Sequence, residues 1–496
     1  MVNNSRRGFF RKAVVGFTTL STFDKTMLFQ WFKRTVLKLP IHDDVYFTTG
    51  FKVMEVEGNR ALVWTRLCSQ EFPNPVKHER REAVFRHPND FDEDQPVEKM
   101  DGAVKGCSGV VRFRLINKKD EMDSGWITTS EENDFTAKFL FGNLREDEKY
   151  KVEIEGRSSA KGPSRFASGK FKTTPPARQE TPLNLVTSTC QYFWSFDDEQ
   201  RGFKTYDSMR RLKPDIYIHT GDYIYYDKPG PLAITVEKAR HKWHAMDSWT
   251  SIRKLYEEVP VYMIKDDHDL LRDDVYPGMP AYGQLSYSDG LKIWYENVPL
   301  DDKPYRTIRW GKDIQIWMVE GREYRSPNNL EDSEVKSIWG SEQKKWFMEG
   351  VEASDATFKL LFTATPVVGP DRATKKDNHA NAVFRTEGNW LRQYLSNQKN
   401  MYVVNGDRHW QYVSQDLKTG LWEFGSGPVS DYHAQGWDPD DVRPEHRFLR
   451  LKGGFLNIRV DRKNHRPLIS FSHRDVDGKV VHEEKFGPGH KRVERQ

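Results

Sequence analysis

The hydrophobic pattern of the chain changes between its first third and the remainder. Over residues 44–174, short runs alternate apolar and polar side chains, as in Phe51–Glu57, which is typical of strands with one buried face. From residue 183 onward, apolar runs without alternation are followed by amphipathic stretches. Buried strands that alternate with helices form β-α-β units around a parallel sheet. The sequence therefore predicts an all-β domain followed by an α/β domain.

A proline-rich stretch, Thr173–Pro182, separates the two predicted domains, because consecutive prolines and threonines do not continue a sheet. Within the first domain, Leu144–Ile154 resembles the corner of a fibronectin type III domain, where the hydroxyl of a tyrosine, here Tyr150, bonds back to the preceding loop. The polar segment over residues 74–106 is predicted to be an inserted loop. The predicted division is a leader over residues 1–38, an all-β fibronectin type III/Ig-like domain over 44–174, an α/β domain over 183–480 and a polar basic tail over 481–496.

The first residues combine an arginine pair with an apolar run. Ser5–Lys12 contains Arg6 and Arg7, a phenylalanine two residues later and a lysine, and Ala13–Phe23 is uncharged. This arrangement resembles a twin-arginine export signal, with a disordered basic leader as the alternative. The apolar run is too short to span a bilayer as a helix. Whether Met27–Leu39 belongs to the mature protein or forms an amphipathic anchor stays open.

Composition narrows the class of protein. At 496 residues, with 37% hydrophobic and 30% charged residues, the chain can bury a large core in two or three domains. The formal net charge of +4 is small and both signs are interspersed, so the sequence lacks the clustered basic face that binds duplex nucleic acid. Three cysteines cannot all pair with one another. Cys68 and Cys107 could form a disulfide within the first domain, or all three could stay free.

Side chains that can bind metal follow four strands of the predicted α/β domain. Cys190 ends the first strand, and Asp222 and Tyr225 follow the second. The third runs into Lys265-Asp-Asp-His-Asp, and the last runs into Gly406-Asp-Arg-His. Because ligands of open α/β sheets gather at the carboxyl ends of the strands, we expect these side chains to meet at one sheet edge.

Each of these segments alone has a simpler explanation. Gly221-Asp222 is a common turn dipeptide, a single buried cysteine usually only packs, and an acidic run is usually solvated. The joint pattern favours a metal site, because carboxylates around His268 would repel one another unless a cation lay among them. Thiolate, phenolate and carboxylate are anionic donors that stabilise a trivalent ion. An all-oxygen partner site suits calcium or another hard divalent cation.

The same segments resemble the alkaline phosphatase D (PhoD-type) family of metallophosphoesterases. The resemblance covers nearly everything after the leader, and the spacing of Asp222 and Tyr225 is also similar to that of purple acid phosphatases. It implies a calcineurin-like metallophosphoesterase α/β sandwich behind the N-terminal β domain, and phosphoesterase activity. The matching motifs are Ser188-Thr-Cys-Gln, Pro214-Asp, His219-Thr-Gly-Asp-Tyr-Ile-Tyr, Asp266-Asp-His-Asp, Gln343 with Trp346-Phe347, Thr365-Pro366 and Gly406-Asp-Arg-His.

A pair of unlike metal ions is implied by this resemblance. A ferric ion (Fe³⁺) would lie beside a calcium ion (Ca²⁺), and a hydroxide that bridges them would attack the phosphorus of the substrate. The implied ligands are Cys190, Tyr225 and His409 for iron, Asp267 and Asp407 for calcium, and Asp222 for both. Further ligands, or partners of ligands, are expected to be Asp266, Asp269, Asp273 and Asp274.

Three residues are implied to act on the substrate. His268 would stabilise charge on the departing oxygen, and Arg408 or Arg322 would bind a phosphoryl oxygen. The chain departs from the family pattern at two places. Asp273-Asp274 stands where the family commonly has Asn-Asp, which adds negative charge beside the second ion. Val319-Glu320-Gly321-Arg322 stands where members often read Leu-Asp-Thr-Arg.

The sequence thus predicts an exported, metal-dependent phosphoesterase that hydrolyses phosphate mono- or diesters. A phospholipase-like or nuclease-like phosphodiesterase is one alternative, decided by the loops over residues 229–249 and 373–381 that would rim the pocket. A non-catalytic surface binding module is the other. We expect a small anionic phosphoester as substrate, a monomer, and a periplasmic or extracellular location reached by the twin-arginine-type signal. Peripheral membrane association stays open.

Overall fold

Apolar segments of both predicted domains form strands, and these strands join into three sheets. The computed structural model describes residues 44–83, 85–301, 303–489 and 491–492, so the predicted leader lies outside the described residues. The strands are β1 (Phe51–Met54), β2 (Ala61–Arg66), β3 (Gly109–Ile116), β4 (Glu121–Thr129), β5 (Thr136–Phe141), β6 (Lys149–Arg157), β7 (Arg165–Lys172), β8 (Leu183–Ser188), β9 (Ile216–His219), β10 (Val261–Met263), β11 (Arg306–Trp310), β12 (Ile314–Met318), β13 (Phe358–Thr363), β14 (Met401–Asn405), β15 (Gln411–Gln415), β16 (Trp422–Gly425), β17 (His446–Arg450), β18 (Phe455–Lys463), β19 (Arg466–Arg474), β20 (Val480–Gly487) and β21 (Lys491–Arg492). The α-helices are α1 (Lys204–Arg211), α2 (Val236–Asp247), α3 (Thr250–Tyr256), α4 (Tyr287–Asn297), α5 (Gly340–Glu352) and α6 (Arg385–Ser396).

Two large sheets share one core. The first has the strand order β21-β20-β19-β18-β8-β9-β10-β1-β2-β5, and the second has the order β11-β12-β13-β14-β16-β15-β17. Leu185 and Ile218 of the first sheet pack in the same apolar cluster as Leu360 and Val404 of the second. Helices cover the opposite faces, so the central strands are buried on both sides. This burial explains their continuous apolar runs.

The N-terminal strands are divided between two sheets. β4-β3-β6-β7 form a separate four-stranded sheet, whereas β1, β2 and β5 extend the first large sheet, with β1 parallel to β10. The predicted tyrosine corner has its expected contact, since the hydroxyl of Tyr150 accepts a hydrogen bond from the backbone N–H of Arg145 at 2.9 Å. The alternation over residues 51–57 predicts an exposed Lys52, yet this side chain is buried and its Nζ lies 2.7 Å from Oδ2 of Asp247. Ionic pairing lets a charged residue occupy a buried strand position.

Several boundaries differ from the prediction. Residues 229–249, expected as a loop, contain helix α2, whose residues Ala239, Trp243 and Met246 pack into the core at helical spacing. The predicted tail over 481–496 instead begins with most of β20, which pairs with β19 and buries Phe486. All three cysteines are free. Across the described ranges, no helix has both the length and the apolar character needed to cross a membrane.

Candidate metal centre

The candidate metal ligands follow four strands that belong to two sheets. β8, β9 and β10 of the first large sheet lead to Cys190, Asp222 and the 266–269 segment, while β14 of the second leads to Asp407 and His409. The expected single sheet edge is therefore wrong, because the site lies where the edges of two packed sheets meet. A β-α-β pattern has the same appearance in either sheet, so periodicity cannot distinguish the two arrangements.

Tight turns direct these side chains into the site. Cys190, Asp222 and Asp407 adopt left-handed backbone conformations, with φ of 51°, 58° and 63°. Residues other than glycine seldom do so, and such conformations concentrate at functional sites, where the surrounding structure stabilises them. The turn at Gly221 leaves no room for a side chain, since a Cβ there would lie 2.6 Å from Cβ of Asp266. The two loops that carry Asp222 and Asp266 are therefore in close contact.

A thiol, a phenol, a carboxylate and an imidazole converge in one half of the site. Sγ of Cys190 lies 3.4 Å from Oδ2 of Asp222, and the hydroxyl of Tyr225 donates to the same oxygen at 2.9 Å. That hydroxyl also lies 3.2 Å from Nε2 of His409. The ligand atoms of Cys190, Asp222 and His409 lie within 4.8 Å of one another. We call these four residues the sulfur-side group, and a single metal ion could contact all of them.

Burial disfavours the anionic forms of the thiol, the phenol and the carboxyl unless a cation is bound. Burial raises the pKa of the Cys190 thiol well above its ordinary value, and the neighbouring Asp222 carboxylate raises it further. The same two causes raise the pKa of Tyr225. Burial also raises the pKa of Asp222, with contributions from nearby carboxylates, although His268 opposes them. A bound cation would stabilise the thiolate, phenolate and carboxylate forms, which are the forms that ligate metal.

Carboxylates dominate the other half of the site. Oxygens of Asp222, Asp266 and Asp407 lie within 4.8 Å of one another, and Asp222 forms a second such set with Asp267 and His268. Oδ1 of Asp222 and Oδ2 of Asp266 are buried without a hydrogen-bond partner among the described residues. Buried, partnerless carboxylate oxygens are unfavourable, so their positions fit a cation. We call the four aspartates the oxygen-side group, and Asp222 belongs to both groups.

His268 is oriented by a carboxylate outside the predicted set. Its Nδ1 lies 2.7 Å from Oδ1 of Asp227, and its Nε2 lies 3.5 Å from Oδ1 of Asp273. Burial lowers the pKa of His268, but Asp227, Asp267 and Asp222 outweigh burial and raise it to about 10. Without metal, the imidazole is therefore protonated at neutral pH. It can donate a hydrogen bond or a proton beside the candidate ligands.

Both candidate arginines are buried and bind carboxylates. Nε of Arg322 donates to Oδ1 of Asp266 at 2.5 Å, and Arg408 donates to its neighbour Asp407. Each guanidinium group therefore offsets part of the negative charge of the oxygen-side group and holds its carboxylates in place. The other acceptors are Asp377 for Arg322, at 3.1 Å, and Asp371 for Arg408, at 2.7 Å.

Replacing Arg322 with methionine should destabilise the protein strongly. The change would leave the buried carboxylates of Asp266 and Asp377 without their cation, and breaking a buried pair in this way costs about 3–5 kcal/mol. We expect Arg322→Met to lower the free energy of unfolding of the metal-free protein by about this amount in urea denaturation. The control Arg443→Met breaks an exposed pair with Asp441 and should leave the free energy nearly unchanged. Equal effects of the two changes would contradict this account of Arg322.

Asp269 supports the ligand loops through the backbone. Its carboxylate accepts hydrogen bonds from the N–H groups of Asp222 and Asp266, both at 2.9 Å, and of Ile224 at 3.1 Å. These bonds tie the loop after β9 to the loop after β10. Among the described residues, Asp269 is in none of the sets of converging ligand atoms. Its contacts therefore favour a partner of ligands over a ligand.

The Asp273-Asp274 pair lies at the border of the oxygen-side group. The side chain of Asp273 is 66% exposed. The N–H of Asp274 donates to Oδ2 of Asp267 at 2.7 Å, and a carboxylate oxygen of Asp274 lies within 4.8 Å of those of Asp267 and Asp377. Glu320, at the other departure from the family pattern, accepts from the N–H of Arg322 at 2.6 Å. It thereby supports the arginine that binds Asp266.

Other residues at the site come from outside the recognised motifs. Asp227 is the one that sequence could have indicated, because it follows Asp222 within the same loop. Asp371 and Asp377 follow the Thr365-Pro366 motif in the loop between β13 and α6 but belong to no motif themselves, so only the fold brings them to the arginines. Phe85 belongs to the predicted inserted loop, yet its ring centroid lies 6.3 Å from that of His409. The N-terminal region therefore contributes to the wall of the site.

The chain is similar to known phosphatases in sequence and in fold. The family model described as PhoD-like phosphatase matches residues 185–450. Among curated proteins, alkaline phosphatase D of Bacillus subtilis (strain 168) is 22% identical over 333 residues, which are 56% of this chain and 55% of that protein. The chain therefore spans about half the length of this curated relative.

Two solved structures share the fold. A structure of PhoD matches with a TM-score of 0.68 and 16% identity, over 91% of this chain and 92% of the other. A purple acid phosphatase from yellow lupin (Lupinus luteus) seeds matches with a TM-score of 0.60 and 10% identity, over 88% and 74% of the two chains. These likenesses confirm the predicted calcineurin-like α/β fold with a β-rich N-terminal region. The fibronectin type III assignment of residues 44–174 stays a prediction.

Proposed function

This chain belongs to the PhoD-like phosphatase family, whose model matches more than half of its residues, and from this premise we propose that it hydrolyses phosphate esters with bound metal ions. The proposal rests above all on Asp222, whose carboxylate belongs to both the sulfur-side and the oxygen-side groups. A site for one ion would not need two adjoining sets of ligands that share a carboxylate. Paired metal sites of this kind are typical of phosphatases.

The donors of the two groups favour two unlike ions. Thiolate and phenolate from Cys190 and Tyr225 would offset the charge of a ferric ion, and the imidazole of His409 would add a neutral nitrogen donor. Asp267 and Asp407 offer only oxygen, which favours calcium. When bound, such a pair of ions would polarise the phosphoryl oxygens and lower the pKa of a water molecule at the site. Oδ1 of Asp222 and Oδ2 of Asp266, which lack partners among the described residues, support a bound cation.

His268 is the proposed proton donor to the leaving group. Because Nδ1 is bound to Asp227, Nε2 is the nitrogen that can share or transfer a proton. A protonated imidazole stabilises the negative charge that develops on a departing oxygen. Asp227 would keep the ring oriented during this step, in the manner of the carboxylate that orients a catalytic histidine elsewhere.

The two buried arginines are proposed first to position the oxygen-side carboxylates. Binding of a phosphoryl oxygen would use a nitrogen that has no protein partner among the described residues. Those nitrogens are Nε of Arg408 and Nη1 of Arg322. A charge-assisted hydrogen bond from either would stabilise a dianionic phosphate.

We also propose export of the protein and action as a monomer. Export by a twin-arginine route to the periplasm or the extracellular space is supported by the arginine pair at residues 6–7 and the apolar run after it. A small anionic phosphoester is the proposed substrate, because the oxygen-side group and its arginines suit phosphate chemistry. An interspersed charge pattern gives no support for duplex nucleic acid as a partner.

Hydrolysis of matched aryl esters tests the proposal. The metal-loaded protein would be assayed with 4-nitrophenyl phosphate and with bis(4-nitrophenyl) phosphate, and the same preparation would be analysed for iron and calcium. Turnover of either ester, with about two metal ions per chain, would support the proposal. A larger kcat/KM for the diester would favour a phospholipase-like or nuclease-like enzyme. If protein that carries both ions hydrolysed neither ester, that result would contradict the proposed phosphoesterase activity.

A further inference from the structure

A third imidazole, that of His433, borders the sulfur-side group. It ends the short turn Asp431–His433 after β16 and is fully buried. Its ring centroid lies 4.3 Å from that of His409 and 5.1 Å from that of Tyr225. Phe85 packs against it from the other region of the chain, with ring centroids 4.6 Å apart. His433 is thus part of the wall of the site, although no sequence motif includes it.

The contact made by Nδ1 of His433 fixes where the proton of the ring lies. The backbone N–H of Tyr192 donates to this nitrogen at 3.2 Å, so Nδ1 presents a lone pair and carries no proton. The ring is then neutral, and its single proton is on Nε2. Tyr192 follows Cys190 by two residues, and the N–H of Val429 donates to the carbonyl of Cys190 at 3.4 Å. The loop that carries the candidate thiolate therefore also sets the tautomer of His433.

Nε2 of His433 has no hydrogen-bond acceptor among the described residues. It is buried, and no described residue makes a hydrogen bond to it. Burying an unpaired N–H is unfavourable, and native proteins rarely do so without a ligand or water to accept the bond. The nitrogen cannot serve as a further metal ligand, because ligation would need a lone pair where the proton is. A hydrogen-bond donor is the role that remains.

We infer that His433 donates a hydrogen bond from Nε2 to a phosphoryl oxygen of the bound substrate. The inference rests on the proposed function, since a phosphoester is the acceptor that this site would bring to the ring. A neutral donor pre-positioned in a buried site binds an oxyanion without a proton transfer and without reorganisation. Inorganic phosphate presents the same oxygens, so its affinity should depend on His433 as well.

Two amide substitutions test the roles of the two ring nitrogens one at a time. In His433→Asn, the amide oxygen can replace Nδ1 as the acceptor for Tyr192, but nothing reaches the position of Nε2. In His433→Gln, the amide nitrogen can replace Nε2 as the donor. As a matched control, His446→Asn changes a partly buried histidine beside Trp437, neither of whose ring nitrogens has a hydrogen-bond partner among the described residues.

Binding of inorganic phosphate to the metal-loaded full chain would be measured by isothermal titration calorimetry. Kinetics with 4-nitrophenyl phosphate and metal content would be measured on the same samples. We expect His433→Asn to weaken phosphate binding and to lower kcat/KM by about 10- to 100-fold each, since a hydrogen bond to a charged group is removed. Metal content should be unchanged, and His433→Gln should restore most of both losses. His446→Asn should match the wild type.

Three results would overturn the inference. The first is unchanged phosphate affinity in His433→Asn. The second is a loss of metal from His433→Asn, which would make His433 a ligand. The third is a loss of affinity and activity in His433→Gln as large as that in His433→Asn. If Nε2 of His433 donated only to a water molecule, phosphate affinity would be unchanged in His433→Asn. Absence of turnover in the wild type would contradict the proposed function instead, and the calorimetric comparison would still decide the role of His433.

Discussion

Replacing Asp222 with asparagine is expected to lower kcat/KM for 4-nitrophenyl phosphate by at least about 10³-fold. The amide keeps the size of the side chain but loses the negative charge that two adjoining sets of ligands share. Both metal ions would then bind more weakly, and the stabilisation of transition-state charge would be lost. The measurement is steady-state kinetics at a fixed, saturating metal concentration, together with elemental analysis.

The same substitution should not weaken the metal-free fold. Burial raises the pKa of Asp222, so its ionised form is unfavourable when no cation is present, and asparagine removes that charge. The melting temperature of the metal-free variant should equal that of the wild type, while the rise caused by added metal should be lost. Asp215→Asn, at the opposite end of β9, is the control and should retain activity and metal response. Unchanged turnover in Asp222→Asn would show that the turnover does not depend on this site, which would favour a non-catalytic second domain.

The second large effect concerns colour. Metal-loaded protein should absorb visible light through charge transfer from thiolate and phenolate to iron, and Cys190→Ser and Tyr225→Phe should each remove one component. Either change should also lower kcat by about 10²-fold, because one anionic donor to the ion is lost. The band requires iron as the acceptor of charge, so the metal-free protein should be colourless.

Cys107→Ser is the matched control for the spectrum. Cys107 is a free, partly buried thiol in the N-terminal region, and its pKa is raised to about 12, chiefly by burial. It is not in any set of converging ligand atoms among the described residues. Its replacement should leave the absorption and the iron content unchanged. A colourless wild-type protein that is fully active and contains no iron would contradict the iron assignment.

Local patterns were sufficient for much of the fold. Apolar runs predict strands at residues 183–188 and 401–405 because these segments are buried on both faces and need no alternation. The turns that carry Cys190, Asp222 and Asp407 could be located for the same reason, since each follows directly after such a strand. Strand β20 is harder to predict, because His482, Glu483, Glu484 and Lys485 are consecutive ionisable residues and only Glu484, Phe486 and Gly487 are buried.

Contacts between residues far apart in the sequence could not be predicted from local patterns. The sheet to which β14 belongs depends on pairing with β13 and β16, which periodicity does not encode. His433 looks like any histidine in a loop until the fold places it against His409. Asp269 and Asp267 are the same residue type in the same segment. Only the three backbone N–H groups that donate to Asp269 show that it supports the loops, whereas Asp267 is a candidate ligand.

The most direct test of the central claim is removal and return of metal. Wild-type protein stripped of metal with a chelator would be assayed with aryl phosphate esters while ferric iron and calcium are added back separately and together. We expect the stripped protein to have less than about 1% of the original turnover and the two ions together to restore it, because the shared carboxylate serves both. Full turnover by protein shown to contain no metal would contradict the account.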